Sequence, residues 1–346
     1  MASRCRCSPL RWRLTPGCIC RDERAGMNWI DSLAAPLFVS WQLTRACDLA
    51  CLHCCTDSAP NKPLADELDA DAAMRLAEDI VRHDVPYVML CGGEPLIVPY
   101  FFDIAEYLGR AGVKLKIETN GQRFDAAAAE RLKRLPIRSI QISLDGDTQD
   151  VYGRQRPGAS LAKTHAACRA VRDAGLPLEV TFAPTRMNIH QAEAVIARAR
   201  DLGAFRFNTG ALMRIGRAAR LWPRIAPSEA DYARFRETLH RQQHIIDDTM
   251  QFCHDPFAIE AGLQQSLGSP PATLMVLPNG WVKVVAAIGY VCGDLRRMTL
   301  TEVWDSYRAA WRNETVLDAI RRAIAAEAGH ADANTWQSIP DEGAVT

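Results

Sequence analysis

From residue 37 onward, the chain alternates short apolar runs with amphipathic stretches, and this alternation constrains the fold more than any other feature. The apolar runs are rich in Val, Ile, Leu and Phe, which is typical of buried strands. They cover residues 37–43, 87–91, 115–119, 139–144, 178–183 and 206–210. The stretches between them repeat apolar residues at helical spacing, most clearly in residues 71–82, 126–135, 161–174 and 191–202.

Gly112, Gly175 and Gly203 suit helix C-caps, because each is followed within a few residues by the next apolar run. Strand and helix units in series predict an α/β fold with a parallel sheet and right-handed crossovers. About 180 residues is short for an eight-unit barrel and suits six units. We therefore predict a partial (β/α)6 TIM-like barrel, whose chemistry sits at the C-terminal ends of its strands.

The pattern changes beyond residue 220. Pro223 and Pro227 interrupt it, and residues 229–246 then read as one long amphipathic helix. Residues 274–285 alternate apolar side chains around the turn dipeptide Asn279-Gly280, which predicts a β-hairpin. These elements indicate a small α+β C-terminal extension.

We divide the chain accordingly into four segments. Residues 27–220 are the predicted barrel and residues 221–328 the extension. Residues 329–346 are rich in Ala, Asp and Glu and are predicted to be disordered. Residues 1–26 carry six Arg and no apolar core, so we expect a disordered leader upstream of a true start at Met27.

The composition excludes several classes of protein. The 41 basic and 41 acidic side chains cancel, so no global charge favours binding to nucleic acid or to an anionic membrane. No apolar run approaches the roughly 18 residues that a membrane span needs. Without a secretory signal, we expect a cytoplasmic location, where the 12 cysteines serve as metal ligands, catalytic groups or core thiols rather than as disulfides.

Three cysteines with tight spacing follow the first predicted strand: Cys47, Cys51 and Cys54. Three thiolates on one loop match three corners of an iron-sulfur cube and leave the fourth iron without a protein ligand. The alternative is a zinc site with His53 or Cys55 as the fourth ligand. Adjacent residues on a tight turn rarely point at one metal, so we favour the cluster.

Polar motifs follow three later strands, as a site at the top of a barrel requires. Two glycines in the first motif allow a ligand to approach the backbone closely, and its carboxylate suits an ammonium group. The second is a turn whose side chains suit sugar hydroxyls. In chain order the motifs are Cys91-Gly92-Gly93-Glu94-Pro95, Glu118-Thr119-Asn120-Gly121 and Ser143-Leu144-Asp145-Gly146.

The order and separation of these motifs over residues 37–220 resemble the radical S-adenosylmethionine (SAM) enzymes. The resemblance implies that Cys47, Cys51 and Cys54 bind a 4Fe-4S cluster, whose open iron is chelated by SAM. It further implies SAM contacts for Gly92, Gly93 and Glu94 at the methionine ammonium, and for Thr119, Asn120 and Ser143 near the ribose and carboxylate. Arg217 matches a Gly-Arg-Ala turn that follows the sixth strand in many members, and the resemblance implies that it also contacts the cofactor.

The extension resembles the SPASM or Twitch extensions of this superfamily, which bind auxiliary clusters. A full SPASM extension needs about seven cysteines, whereas this one contains Cys253 and Cys292. We therefore expect one cluster per chain, with the extension as a lid over the barrel. Cys253 and Cys292 are candidate hydrogen-atom donors to a substrate radical, and the alternative is that each is a small buried apolar residue.

The resemblance implies an enzyme that cleaves SAM reductively and abstracts hydrogen from a small-molecule biosynthetic intermediate. We expect decarboxylation, dehydration or epimerisation of a sugar, nucleoside or tetrapyrrole-type substrate, with flavodoxin or ferredoxin as electron donor. Two alternatives stay open. One is maturation of a ribosomal peptide, and the other is a non-catalytic iron-sulfur scaffold or sensor.

Overall fold

A computed structural model describes residues 28–246, 249–325 and 330–340 of the chain. The expectation for residues 1–26 lies outside these ranges. Within them, no helix is long and apolar enough to cross a bilayer.

Eleven strands are present in the described ranges. They are β1 (Phe38–Gln42), β2 (Tyr87–Cys91), β3 (Lys114–Thr119), β4 (Ile137–Ser143), β5 (Leu178–Phe182), β6 (Arg206–Thr209), β7 (Gln251–Cys253), β8 (Thr273–Val276), β9 (Trp281–Lys283), β10 (Tyr290–Asp294) and β11 (Gln337–Ser338).

Eleven α-helices accompany these strands in the same ranges. They are α1 (Ala70–Arg82), α2 (Phe101–Arg110), α3 (Ala126–Leu132), α4 (Gln149–Gln155), α5 (Leu161–Asp173), α6 (Ala192–Asp201), α7 (Arg217–Ile225), α8 (Glu229–Ile246), α9 (Ile259–Gly268), α10 (Leu300–Ala310) and α11 (Glu314–Ala325).

The strands form one sheet in the order β11-β10-β9-β8-β1-β2-β3-β4-β5-β6-β7. Neighbouring strands from β1 to β7 pair in parallel, and helices connect most of them. This confirms the predicted α/β fold with a parallel sheet. The sheet does not close, so the barrel is partial.

The predicted hairpin is present, since β8 and β9 pair antiparallel. The sequence did not predict the position of this hairpin in the sheet. Strand β8 also pairs in parallel with β1. The extension therefore continues the edge of the barrel sheet instead of forming a separate layer. It places the hairpin directly beside the strand that carries the cysteine loop.

Two expectations for the C-terminal half differ from the structure. Pro223 lies inside α7, where it follows the first turn and a half of the helix. Residues 330–340, which composition assigns to a disordered tail, contain a 3-10 turn at Ala331–Asn334 and strand β11, which pairs with β10. Composition misses this segment because its order comes from contacts with the hairpin.

Side chains of the barrel strands alternate between an apolar face and a polar face. In β3, Leu115 and Ile117 are buried in the core, whereas Lys116 between them is half-buried. The Lys116 ammonium lies 3.0 Å from a Glu179 carboxylate oxygen. The polar face therefore carries an ionic network across several strands, while the apolar face packs against the helices.

Candidate active site

The three cysteines of the predicted cluster motif lie on one loop after β1. Cys47 and Cys51 are buried and Cys54 is half-buried. The Cys47 amide donates to the carbonyl of Ala59 at 3.2 Å, and the Cys54 amide donates to the carbonyl of Cys51 at the same distance. Backbone hydrogen bonds thus fold the loop so that all three thiols belong to one short turn.

Each of the three sulfurs accepts a hydrogen bond from a nitrogen donor. The Leu49 amide lies 3.4 Å from the Cys47 sulfur, and the Ser58 amide lies 3.3 Å from the Cys54 sulfur. The Arg156 guanidinium lies 3.5 Å from the Cys51 sulfur. Such donors stabilise anionic sulfur, and hydrogen bonds to the sulfurs also tune the potential of an iron-sulfur cluster.

The thiols of Cys47 and Cys51 do not ionise readily by themselves. Burial raises the pKa of Cys47 to about 12 and that of Cys51 to about 11. A metal that binds thiolate supplies the missing positive charge, so the donor set fits such a group. In the described ranges, no three His, Cys, Asp or Glu side chains converge on one metal-ion position, as the zinc alternative would require. A 4Fe-4S cluster takes one thiolate per iron and needs no such convergence.

Glu94 lies at the centre of the site and is fully buried. Its carboxylate accepts hydrogen bonds from the Thr119 hydroxyl and the Asn120 amide, both at 2.8 Å, and from the Leu96 amide at 3.2 Å. Burial raises its pKa to about 7, although these three donors oppose the shift. The first and second polar motifs therefore meet around one carboxylate.

The glycines of the first polar motif pack closely against the backbone of the cysteine loop. A Cβ atom on Gly93 would lie 2.0 Å from the carbonyl oxygen of Ala46, and one on Gly92 would lie 2.5 Å from that of Thr44. The backbone that approaches them closely is the start of the cysteine loop. The expected SAM contact of Gly92 and Gly93 thus has a second physical explanation, which is packing of the two loops.

The remaining predicted site residues at the ends of β3 and β4 lie beside these loops. The Asn120 side-chain amide donates to Asp48 at 2.7 Å and lies 3.7 Å from the Cys47 sulfur. Ser143 ends β4 and is half-buried, and its carbonyl accepts from the Tyr152 hydroxyl at 3.4 Å. Asn120 is therefore coupled to the cysteine loop, and Ser143 lies at the same sheet edge.

Arg217 binds the backbone of the cysteine loop. Its guanidinium donates to the carbonyls of Cys51 and Ser58, both at 2.7 Å, and its amide donates to the carbonyl of Cys54 at 3.0 Å. Next to it, Gly216 has φ 60°, and a Cβ there would lie 2.4 Å from the Cys55 carbonyl oxygen. The Gly-Arg-Ala turn thus contacts the backbone of the cysteine loop, and the expected contact of Arg217 with the cofactor stays a prediction.

Sequence reasoning missed a buried ionic group beneath the cysteine loop. Arg156 pairs with Asp145 at 2.6 Å, and its guanidinium also lies 3.4 Å from the His53 ring. Burial lowers the pKa of His53 to about 4, so the ring is neutral at pH 7. Its Nδ1 atom is buried and has no hydrogen-bond partner among the described residues. Arg156 contacts Asp145 and Cys51, which both belong to predicted motifs. Nothing in the sequence marked Arg156 itself apart from its position after Asp145.

Cys253 and Cys292, the candidate hydrogen donors, lie far apart in the strand order. Cys253 ends β7 at one edge of the sheet and is exposed. Cys292 lies in β10 near the other edge, where its thiol is 3.4 Å from the Val282 carbonyl and burial raises its pKa to about 12. Cys55, which directly follows the cluster motif, instead lines a cavity beside the cysteine loop.

The raised pKa of Glu94 predicts a pH-dependent stability of the cofactor-free protein. The folded state holds the Glu94 proton up to about pH 7, whereas the unfolded state loses it near 4.5. The free energy of unfolding therefore falls as pH rises between these values, by about 3 kcal/mol in total from this group. Urea unfolding at pH 5 and pH 8 measures the difference.

Glu94→Gln removes this titration, so we expect the fall in unfolding free energy between pH 5 and pH 8 to shrink relative to the wild type. Comparison of the two proteins isolates Glu94 from other titrating groups such as His53. An identical pH dependence in both proteins would mean that Glu94 is ionised in the folded state at pH 5.

Residues 41–199 match the family model of the Radical SAM superfamily. This segment is a radical SAM domain. It includes the cysteine loop, Glu94 and the turns after β3 and β4, so the predicted resemblance is confirmed for the barrel. The match ends at residue 199, before Arg217 and the C-terminal extension.

Similar proteins fall within the same superfamily. Mycofactocin maturase MftC of Mycobacterium ulcerans is 33% identical over 205 residues, which cover 57% of this chain and 53% of that protein. The AdoMet-dependent heme synthase of Methanosarcina barkeri is 29% identical over 211 residues, covering 60% and 59%. The chain thus spans little more than half the length of these curated relatives.

The fold also matches solved structures. The crystal structure of Streptococcus suis SuiB bound to S-adenosylmethionine superposes with a TM-score of 0.65 at 16% identity, covering 84% of this chain and 68% of that one. At this identity the likeness concerns the fold, and it extends beyond the radical SAM domain into the C-terminal extension.

Proposed function

We propose that this chain is a radical SAM enzyme that acts on a small-molecule biosynthetic intermediate. The observation that carries the proposal is the cysteine loop, in which each of the three sulfurs accepts a hydrogen bond from a nitrogen donor. The buried carboxylate of Glu94 lies next to this loop. A 4Fe-4S cluster and SAM, when bound together, supply a 5′-deoxyadenosyl radical that abstracts hydrogen from unactivated carbon. The names of the heme synthase and of the SuiB structure support SAM, and the match to the Radical SAM superfamily supports the cluster together with SAM.

The chain's own residues would bind and orient these groups. Cys47, Cys51 and Cys54 would hold the cluster, and Arg156 would place a positive charge next to the Cys51 sulfur. Glu94 would accept the methionine ammonium of SAM, since an adjacent cation favours its ionised form. Arg217 would keep the loop in shape through its two carbonyl contacts.

Decarboxylation is the reaction outcome that we favour, with dehydration and epimerisation as the other candidates. Support comes from the similarity to an AdoMet-dependent heme synthase and from the two cysteines of the extension, which are too few for auxiliary clusters. Without a second cluster to accept an electron from a substrate radical, redox-neutral outcomes are favoured. The extension would then serve as a lid.

Peptide maturation is the second candidate, and the similarity to mycofactocin maturase MftC favours it. Under this alternative, the substrate is a peptide that is modified after synthesis. Incubation of the reduced enzyme with candidate carboxylic acids and with candidate peptides, followed by mass spectrometry, separates the two: loss of 44 mass units from a small acid, as CO2, supports the first.

The direct test of the enzymatic proposal is the formation of 5′-deoxyadenosine and methionine. We expect the anaerobically reconstituted protein with dithionite and SAM to form both products. Absence of 5′-deoxyadenosine with dithionite and also with reduced flavodoxin or ferredoxin would favour a non-catalytic iron-sulfur scaffold.

A further inference from the structure

A cavity of about 160 Å³ lies beside the cysteine loop, at the C-terminal ends of β1 and β8. Cys55 lines it on one side and the hairpin of the extension lines it on the other. It opens toward solvent near Met213, which is 37% exposed. None of the residues that line it is Asp or Glu.

Lys283 places a buried cation in this cavity. The residue is 3% exposed, and its ammonium donates to the carbonyls of Ala333 at 2.7 Å and Ala286 at 2.9 Å. An ammonium has three donors, so one is left after these two bonds. No carboxylate pairs with it in the described part of the chain, and burial lowers the pKa of Lys283 to about 8. A buried cation without a counter-anion is costly.

Two further donors line the same cavity. The indole N–H of Trp336 is buried without a hydrogen-bond partner among the described residues. Arg45, a half-buried residue whose Nε donates to the Lys62 carbonyl at 3.3 Å, adds a second positive charge. Buried polar groups are nearly always satisfied, so an unpaired N–H that shares a cavity with an ammonium lacking a carboxylate partner points to a ligand that accepts hydrogen bonds.

We infer that this cavity binds a carboxylate group of the substrate, with Lys283 as the residue that neutralises it. The inference rests on the proposed function, because it names the class of substrate that would reach the cysteine loop. A volume of this size holds one carboxylate-bearing arm, since a 150 Å³ cavity accommodates a single benzene ring. The remainder of the substrate would extend toward Met213.

Selective alkylation of Cys55 tests this binding without knowledge of the substrate. Iodoacetate and iodoacetamide have nearly the same size and attack the same thiol, but only iodoacetate is a carboxylate. Because both reagents react with the same Cys55 thiol, its own reactivity cancels in the ratio of their rates, and this ratio reports the cavity charge. Peptide mass spectrometry assigns the modification to Cys55.

We expect iodoacetate to modify Cys55 about tenfold faster than iodoacetamide, with a rate that saturates with concentration, because charged hydrogen bonds contribute at least a factor of ten. Propionate, but not propionamide, should protect the thiol. Lys283→Met should bring the rate ratio below one, Lys283→Arg should keep it above one, and Trp336→Phe should reduce it. Lys163→Met, an exposed lysine on α5, is the matched control and should not change it.

Several results would overturn the inference. They are a wild-type ratio below one, equal ratios in the wild type and Lys283→Met, or a Cys55 that neither reagent reaches. If Lys283→Met does not fold, saturation and protection by propionate in the wild type decide the matter. Since the assay does not depend on SAM cleavage, its failure is distinguishable from a failure to form 5′-deoxyadenosine.

Discussion

Replacing Cys51 with alanine is expected to abolish both cluster binding and SAM cleavage. Cys51 is one of only three thiols on the loop that are spaced for a cluster, and it is the one whose sulfur contacts the Arg156 guanidinium. Without Cys51, the loop keeps two of the three thiolates for a cluster of four irons, and Arg156 loses its contact with the Cys51 sulfur. We expect the iron content to fall from about four per chain to below one.

Cys168→Ala is the matched control for this experiment. Cys168 is fully buried in α5 and lies outside the cysteine loop, so its removal changes packing but not the donor set. Iron and acid-labile sulfide analysis after anaerobic reconstitution measures both variants. Retention of about four irons by Cys51→Ala would show that the cluster takes its ligands elsewhere.

Gly93→Ala is expected to be the most destabilising single-methyl substitution in the site. The added Cβ would lie 2.0 Å from the carbonyl oxygen and 2.6 Å from the carbonyl carbon of Ala46, and both atoms belong to backbone. The Gly93 amide also donates to the Thr44 carbonyl at 2.7 Å, so the two loops have no room to separate without losing hydrogen bonds. We expect a loss of roughly 3 kcal/mol or more in the free energy of unfolding.

Gly268→Ala provides the control, because a Cβ at this last residue of α9 meets no heavy atom within 4 Å. Its free energy of unfolding should stay within about 0.5 kcal/mol of the wild type. Chemical denaturation of the cofactor-free proteins measures both. Equal stability of Gly93→Ala and Gly268→Ala would contradict the close packing of the Glu94 turn on the cysteine loop.

Much of the barrel was predictable from sequence because its strands are buried and its helices are amphipathic. The bounds of β2 and α8 agree with the predicted ones, those of β1 differ by one residue at each end, and those of β5 differ by one residue at the C-terminal end. Helix α2 was missed because it begins after a proline-rich turn without a side-chain cap. The strand pairing of β8 with β1 was missed because a sequence pattern does not reveal which edge a distant hairpin joins.

The site was predictable in its motifs but not in its internal contacts. The spacing of the three cysteines predicted the cluster ligands, and the order of the motifs predicted Glu94, Thr119 and Asn120. The contacts of Arg156 with Cys51 and of Arg217 with the same loop join residues more than 100 positions apart. Such pairs depend on tertiary packing, so no local sequence pattern predicts them. The same holds for the burial of Lys283 in the cavity that Cys55 lines.

The proposed function depends most on an iron-sulfur cluster that is held by three thiols and leaves one iron open to SAM. Electron paramagnetic resonance of the anaerobically reconstituted, dithionite-reduced protein, recorded with and without SAM, tests this most directly. We predict a single 4Fe-4S signal whose shape changes when SAM is added. The absence of an iron-sulfur signal, or a signal that SAM leaves unchanged, would contradict it.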